Sequence, residues 1–338
     1  MYRHGMRARR LMPAAAVAAA LAWAPVATAA FAPPERASIG PLPARAPDVA
    51  VNDRGDAAAV WIRGAGRAAM VVASLRPAGG EWSAPEAISR RGRPAIDPQV
   101  GLDARGLAVV TWRQVERVRR IRTADGRRRQ AVYVARARER SLDGGRWSPI
   151  TTLSSARHKV GPPRLGVDDA GGAVAAWHWG TGTNPRVPGF VGEVQVAERA
   201  PGGGWSAPTR VSRSSPCRQV RLPRVAVGAR GHGVVWWQCD GPGGRNTAVA
   251  IARAPGGSFG SETEMPFGRA GAVSANVVIA DSGRLSAVSA DDAGALRWWA
   301  SDVTDSVRLA RLPSLGPAER SDPLAGAPRV AANAAGDA

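Results

Sequence analysis

Residues 47–61 read PDVAVNDRGDAAAVW and contain the pattern that decides the fold. Before the turn, valines alternate with small or polar residues, as in a strand with one buried face. Asn52 can bond its own backbone, and Gly55 accepts the positive φ that closes a tight turn. A second apolar run then ends at Trp61. The stretch therefore predicts a β-hairpin.

The same pattern recurs along the chain at intervals of 51 to 65 residues. The turn glycines that mark it are Gly55, Gly106, Gly171, Gly231, Gly283 and Gly336. Tryptophan stands six residues after each of the first four glycines, at Trp61, Trp112, Trp177 and Trp237. A valine-rich third segment and a Gly-rich turn into an aromatic-led fourth segment complete the unit. Such a repeat predicts an all-β fold, a β-propeller of four-stranded blades.

The sequence predicts five repeats and the start of a sixth. They cover about residues 47–96, 97–160, 161–220, 221–272 and 273–325, with the partial unit at 326–338. Gly336-Asp337-Ala338 matches Gly55-Asp56-Ala57 at the start of a second strand. We expect that the chain is a truncated piece of a longer propeller; the alternative is that its two ends together patch an incomplete ring.

Residues 1–29 have the form of a secretory signal peptide. Arginines precede an apolar segment, Leu11 to Val26, and Ala27-Thr28-Ala29 has the small-x-small pattern of a cleavage site. Residues 30–46 are rich in proline and are interpreted as a linker. The protein is therefore expected to be secreted or associated with the cell envelope, by general secretion or twin-arginine export, with no membrane span after cleavage.

The two cysteines, Cys217 and Cys239, flank the first hairpin of the fourth repeat. Antiparallel pairing brings residues on either side of a turn together, and an exported protein meets an oxidising compartment. The sequence therefore predicts a disulfide across this hairpin.

Basic residues are concentrated in one insertion. The chain has a formal net charge of +19, and residues 115–130 interrupt the second repeat between its second and third strands. Asp125-Gly126 is a hairpin turn, so the insertion should extend both strands into a basic finger. The arginines of this insertion are Arg117, Arg119, Arg120, Arg122, Arg127, Arg128 and Arg129.

Guanidinium groups pair with carboxylates and phosphates, so the predicted partner of the finger is an acidic polysaccharide or a cell-envelope polymer. Nucleic acid fits the charge alone, but export favours an extracellular polyanion. A solvated hairpin with no partner is the structural alternative.

Most tryptophans occupy equivalent positions in the repeats, which indicates packing between blades. Trp179 and Trp236 fall outside that register and are candidate ligand-binding residues. Gly256 to Gly260 matches a nucleophile elbow only as a string, because it lies in a turn of the repeat rather than between a strand and a helix. The histidines lack the spacing of metal ligands. We predict no catalytic residues, no metal and no cofactor.

The repeat resembles the sialidase-like, or BNR-repeat, propellers. Ser141-Leu142-Asp143-Gly144-Gly145-Arg146-Trp147 approaches the Asp-box of that family but is one residue short and lacks its threonine. The resemblance implies a propeller fold and, in catalytic members, an arginine triad with a Tyr/Glu nucleophile pair. Tyr133 lies on a regular third strand, and no arginine triad can be assigned.

The sequence thus favours a non-catalytic binding or scaffold module. A sialidase-like glycoside hydrolase or lyase is the first alternative. A scaffold for extracellular protein–protein contacts is the second.

Overall fold

The computed structural model describes residues 42–123, 126–181, 191–212, 217, 219–240, 246–265, 275–290, 296–303 and 310–311. Within these ranges the chain forms β-strands and one 3-10 helix, Gly66–Ala68. The predicted signal segment and the predicted partial sixth repeat lie outside the described residues.

Five antiparallel sheets follow one another along the described chain, and we call them blades 1 to 5. Blade 1 contains β1 (Ala44–Val51), β2 (Ala57–Arg63), β3 (Met70–Arg76) and β4 (Glu86–Ala87). Blade 2 contains β5 (Ala95–Leu102), β6 (Leu107–Thr123), β7 (Gly126–Ser141) and β8 (Thr151–Thr152). Blade 3 contains β9 (Lys159–Val160), β10 (Arg164–Val167), β11 (Ala173–Thr181), β12 (Val191–Arg199) and β13 (Thr209–Arg210).

Blade 4 contains β14 (Gln219–Val227), β15 (Gly233–Asp240), β16 (Asn246–Arg253) and β17 (Thr263–Met265). Blade 5 contains β18 (Asn276–Ile279), β19 (Arg284–Ala290), β20 (Leu296–Asp302) and β21 (Ala310–Arg311). Strands are neighbours in sequence order in every blade, and β9 adds a fifth strand to blade 3 by pairing with β11. The all-β fold with four-stranded propeller blades is therefore confirmed.

The first turns of blades 1 and 2 form as their sequences predict. The Asn52 Oδ1 atom accepts hydrogen bonds from the backbone N–H groups of Arg54 and Asp56 at 3.1 and 3.0 Å. Asp103 caps its own turn in the same way, and Gly55 has a φ of 85°. Turns of neighbouring blades are joined, since the Asn52 Nδ2 atom donates to the Asp103 carbonyl at 2.9 Å. We call this end of the blades the turn end.

The core lies between the blades. Trp112 is fully buried between blades 1 and 2, Trp177 between blades 2 and 3, and Trp237 between blades 3 and 4. Blade 5 has Ser289 at this position, and the Nε1 atom of Trp299 donates to its hydroxyl at 3.1 Å. The repeated tryptophans therefore fill equivalent spaces, as predicted.

An arginine at one position of the third strand links blades 2, 3 and 4 each to the preceding blade. Arg140 contacts Glu86 at 2.8 Å, Arg199 contacts Glu139 at 2.6 Å, and Arg253 contacts Glu198 at 2.6 Å. We call these contacts the interblade arginine pairs. They add charge pairing to the apolar packing between blades 1 to 4.

The predicted disulfide is confirmed. Cys217 and Cys239 are bonded, with their Cα atoms 5.1 Å apart. Cys239 lies in β15 opposite Val220, whereas Cys217 precedes β14, so the bond closes the open end of this hairpin.

Blade 1 has an uncovered inner strand. Val49 and Val51 are 61% and 64% exposed, whereas the equivalent Val100 and Leu102 of blade 2 are 8% and 9% exposed because blade 1 covers them. Strand β1 begins at Ala44 and so includes the last residues of the predicted linker.

Candidate functional site

The longest hairpin of the described chain is formed by β6 and β7. Their pairing runs from Leu107 opposite Ser141 to Thr123 opposite Gly126. The corresponding strand of blade 1 has seven residues and that of blade 4 has eight, against 17 in β6. The extra length projects the hairpin roughly 25 Å beyond the blade, on the side opposite the turn end. The predicted basic finger is thus an extended two-stranded ribbon, in which residues 117–123 pair with residues 126–132.

The root of the finger is fixed by a bulge. The strand register shifts between Val115 and Arg117, which leaves Glu116 as the extra residue. Glu116 accepts a hydrogen bond from the nearly buried Arg136. Burial is the main cause that lowers the pKa of Arg136, and the Glu116 carboxylate opposes it. Because bulges bend a strand and change its phase, this residue sets the direction of the finger.

A second ion pair supports the root. The Nε atom of Arg113 donates to Asp97 at 2.6 Å, and its guanidinium lies 5.1 Å from the centre of the Tyr133 ring. Tyr133 therefore has a packing role beside an arginine, and the structure gives no reason to assign it as a nucleophile.

One face of the finger carries four arginines. Arg120 lies opposite Arg129, and Arg122 lies opposite Arg127, so the four side chains form two cross-strand pairs on the same face. All four are exposed. The described residues provide none of them with an ion-pair partner. Like charges directly opposite each other destabilise a β-ribbon, so this arrangement has a cost unless an anion neutralises it.

The other face of the finger is less strongly charged. Arg119 donates from Nε to the Gln130 Oε1 atom at 2.9 Å, and Arg117 donates to the Ala156 carbonyl at 3.4 Å. Arg128 lies opposite Ile121. This face carries Arg117, Arg119 and Arg128, which complete the seven predicted binding arginines.

The base of the finger adjoins the connection into blade 3. Burial and the Arg119 charge lower the pKa of Lys159. Lys159 lies on β9, which pairs with β11 beside Trp179, and the His158 ring meets the Trp179 ring edge-on at 4.1 Å. The predicted ligand residue Trp179 is therefore half-buried and lies near the finger. His158 and Lys159 lie beside Trp179 and were not predicted as site residues, although Lys159 is the sole lysine of the chain.

The other predicted ligand tryptophan lies elsewhere. Trp236 is 4% exposed and packs with Ala250, Leu285 and Ala287 in the core between blades 4 and 5. Its ring is not accessible from solvent in this structure. We therefore leave Trp236 out of the candidate site and assign it a packing role.

The turn end contains a group of neighbouring carboxylates. The pKa of Asp169 is raised by burial and then by the carboxylates of its neighbours, in the order Asp281, Asp53, Asp168 and Asp103. Asp169 donates from its backbone N–H to the Ala229 carbonyl at 3.0 Å. Even so, the part of the chain that the structure describes contains no group of three or more His, Cys, Asp or Glu residues that could hold a metal ion.

Among the described residues there is no helix with the length and apolar character needed to cross a membrane.

No protein-family model and no curated protein matches the chain. The chain is similar to the crystal structure of a protein of unknown function from Dyadobacter fermentans, with 13% identity, a TM-score of 0.50 and coverage of 82% of this chain and 85% of that chain. It is also similar to an α-L-arabinanase of Penicillium chrysogenum in complex with arabinobiose, with 11% identity, a TM-score of 0.50 and coverage of 80% and 81%.

A NanB sialidase of Streptococcus pneumoniae shows 9% identity and a TM-score of 0.47, and the match covers 79% of this chain and 60% of the sialidase. The solved structures similar to this chain thus include a sialidase and an arabinanase. At these identities the two matches with a TM-score of 0.50 support the overall fold alone.

Proposed function

We propose that this chain is an exported carbohydrate-binding propeller that holds an acidic glycan or an acidic cell-envelope polymer on its basic finger. The observation that carries the proposal is the two pairs of opposed arginines, Arg120 with Arg129 and Arg122 with Arg127, on one exposed face. Catalysis is not part of the proposal.

The arrangement of the four guanidinium groups suits a chain of anions. Successive residues on one face of a strand are about 7 Å apart, and directly opposed side chains are about 5 Å apart. Guanidinium groups bind carboxylate and phosphate oxygens through two parallel hydrogen bonds. A polymer with repeated acidic groups can therefore occupy both arginine pairs at once, whereas a small anion engages one.

The carbohydrate class rests on two further observations. The structurally similar arabinanase was crystallised with arabinobiose, which supports a saccharide partner for this fold. The confirmed disulfide agrees with an oxidising compartment such as the periplasm or the cell surface, where envelope polymers lie within reach.

The proposal is tested by measuring binding to polygalacturonate, and to dextran as the neutral comparison, at low and high salt. In the test variant, Arg120, Arg122, Arg127 and Arg129 are replaced by Gln. The control variant replaces four exposed turn-end arginines, Arg105, Arg146, Arg230 and Arg284, so both variants lose the same charge. We expect salt-sensitive polygalacturonate binding that the test variant weakens about tenfold or more and the control nearly preserves.

Equal losses in the two variants would show that only net charge matters and would overturn the finger site. Absence of polygalacturonate binding would also overturn it. New reducing ends after incubation would replace the binding module with a glycoside hydrolase or lyase.

A further inference from the structure

A cavity of about 350 Å³ lies between blades 3 and 4, away from the basic finger. Its apolar wall includes Val196, Ile251 and Phe259, and its polar wall includes Glu198, Thr209 and Ser258. A volume of this size is at the small end of ordinary ligand sites, and it holds a ring of sugar size rather than a long polymer.

The cavity coincides with a break in the repeat. Blades 1, 2 and 3 enter their fourth strand with Trp-Ser, at Trp82-Ser83, Trp147-Ser148 and Trp205-Ser206, whereas blade 4 has Phe259-Gly260. The positions are equivalent in structure, because the second residue donates its backbone N–H to the third strand at 2.7 Å from Ser206 and 2.9 Å from Gly260. Both residues of the pair are smaller in blade 4, which leaves space at this rim of the interface.

The polar wall carries no uncompensated charge among its described groups. The Glu198 carboxylate accepts a hydrogen bond from Arg253 at 2.6 Å, and the same guanidinium lies 5.4 Å from the centre of the Phe259 ring. The Thr209 and Ser258 residues at the mouth are exposed. A ligand for this cavity therefore needs an apolar face for the aromatic and aliphatic wall, and hydroxyl groups for the polar wall.

From these observations we infer that the cavity between blades 3 and 4 is a binding site for a neutral sugar unit, separate from the finger. Phe259 supplies the apolar contact, and Glu198 and Thr209 supply hydrogen-bonding partners. The site differs from the finger in charge, so it does not depend on the proposed polyanion binding.

The test uses saturation-transfer NMR with three neutral disaccharides, cellobiose, xylobiose and maltose, on the full chain. We expect transfer to at least one of them. Phe259→Trp restores the residue of the other blades and fills the cavity, so it should abolish the transfer while the melting temperature stays equal or rises. Trp147→Phe is the matched control, because it makes the reverse exchange at another rim and should leave the transfer unchanged.

Thr209→Val provides a second variant that keeps the shape of the side chain and removes its hydroxyl, and it should weaken the transfer at least about threefold. The variant with four finger arginines replaced should bind the disaccharide normally, which separates this inference from the proposed function. The inference is wrong if none of the three disaccharides shows transfer, or if Phe259→Trp leaves the transfer intact.

Discussion

Arg199 is the most enclosed member of the interblade arginine pairs. Its side chain is 6% exposed and that of Glu139 is 18% exposed, and Arg199 also donates to the Gly171 carbonyl. Removing one partner of a buried pair leaves the other charge without compensation. Arg199→Ala should therefore lower the free energy of unfolding by about 3 kcal/mol, measured by urea denaturation.

Arg140→Ala is the matched control, because Glu86 is 51% exposed and water can solvate it after the arginine is lost. A loss below about 1 kcal/mol is expected there. Equal effects of the two substitutions would show that burial does not set the strength of these pairs.

Asp169 gives the turn end a pH-dependent contribution to stability. Its pKa is raised in the folded chain, so the folded state binds its proton more tightly than the unfolded state does. The associated stability is fully present below the unfolded pKa of about 4 and is lost as the pH rises through the folded value. Asp169→Asn should therefore raise the melting temperature at pH 7, and the gain should disappear below about pH 4.

Asp143→Asn, at an exposed turn outside this cluster, should leave the melting temperature unchanged at both pH values. A gain from Asp169→Asn that persists at low pH would contradict an electrostatic origin.

At the residue scale, local chemistry was predictable and contacts between blades were not. Asn52 and Asp103 bond their own turns, so a short stretch of sequence contains all the information required. Arg199 bonds a residue 60 positions away, in another blade. The repeat does place arginine at this position in four blades, and that recurrence was the available signal.

Among the elements, the basic finger is stabilised by backbone pairing and opposed by its own charges. Arg129→Glu would place a carboxylate opposite Arg120 and replace a repulsive cross-strand pair with an attractive one. We expect slower amide hydrogen exchange in the finger by about threefold, together with weaker polygalacturonate binding.

Arg129→Gln separates the two effects, because it removes repulsion without adding attraction and should give intermediate exchange rates. Faster exchange in Arg129→Glu than in the unchanged chain would show that the paired arginines do not repel each other.

The existence of the finger followed from its turn and from its place between the second and third strands of the repeat, but the grouping of its arginines did not. Glu116 forms a bulge that changes the phase between the blade and the finger. If the finger residues were assigned to the two faces by simple alternation from Trp112, each of them would therefore be placed on the wrong face. For Trp236 the prediction was wrong. Its position outside the repeat register suggested a ligand-binding residue, but its ring is buried against blade 5.

At the scale of the whole molecule, the first strands of blades 1 and 2 differ in how far a neighbouring blade covers them. Val49 and Val51 are exposed, whereas their equivalent Val100 is buried by blade 1. Val→Thr keeps the shape of a side chain and adds a hydroxyl, which costs free energy only where water is excluded. Val100→Thr should lower the free energy of unfolding by about 1–2 kcal/mol, and the double change Val49→Thr with Val51→Thr should lower it by less than about 0.5 kcal/mol.

Chemical denaturation measures both variants. A large loss in the double variant would mean that the open face of blade 1 is covered in solution.

The propeller class could be predicted because the same strand–turn–strand pattern recurs many times along the chain. The cavity at Phe259 could not, because a smaller pair of residues creates space only when its position between two blades is known. The base of the finger, where Trp179 meets His158, likewise depends on how the connection into blade 3 folds back on β11.

In each interblade arginine pair the two partners occur in the same order along the chain. Each arginine follows its carboxylate partner in the chain, as Arg140 follows Glu86, Arg199 follows Glu139 and Arg253 follows Glu198. Because the chain is made from its amino end, the carboxylate that neutralises each of these three arginines is present before the arginine is added. When blades fold in chain order, none of the three arginines is enclosed before its partner exists.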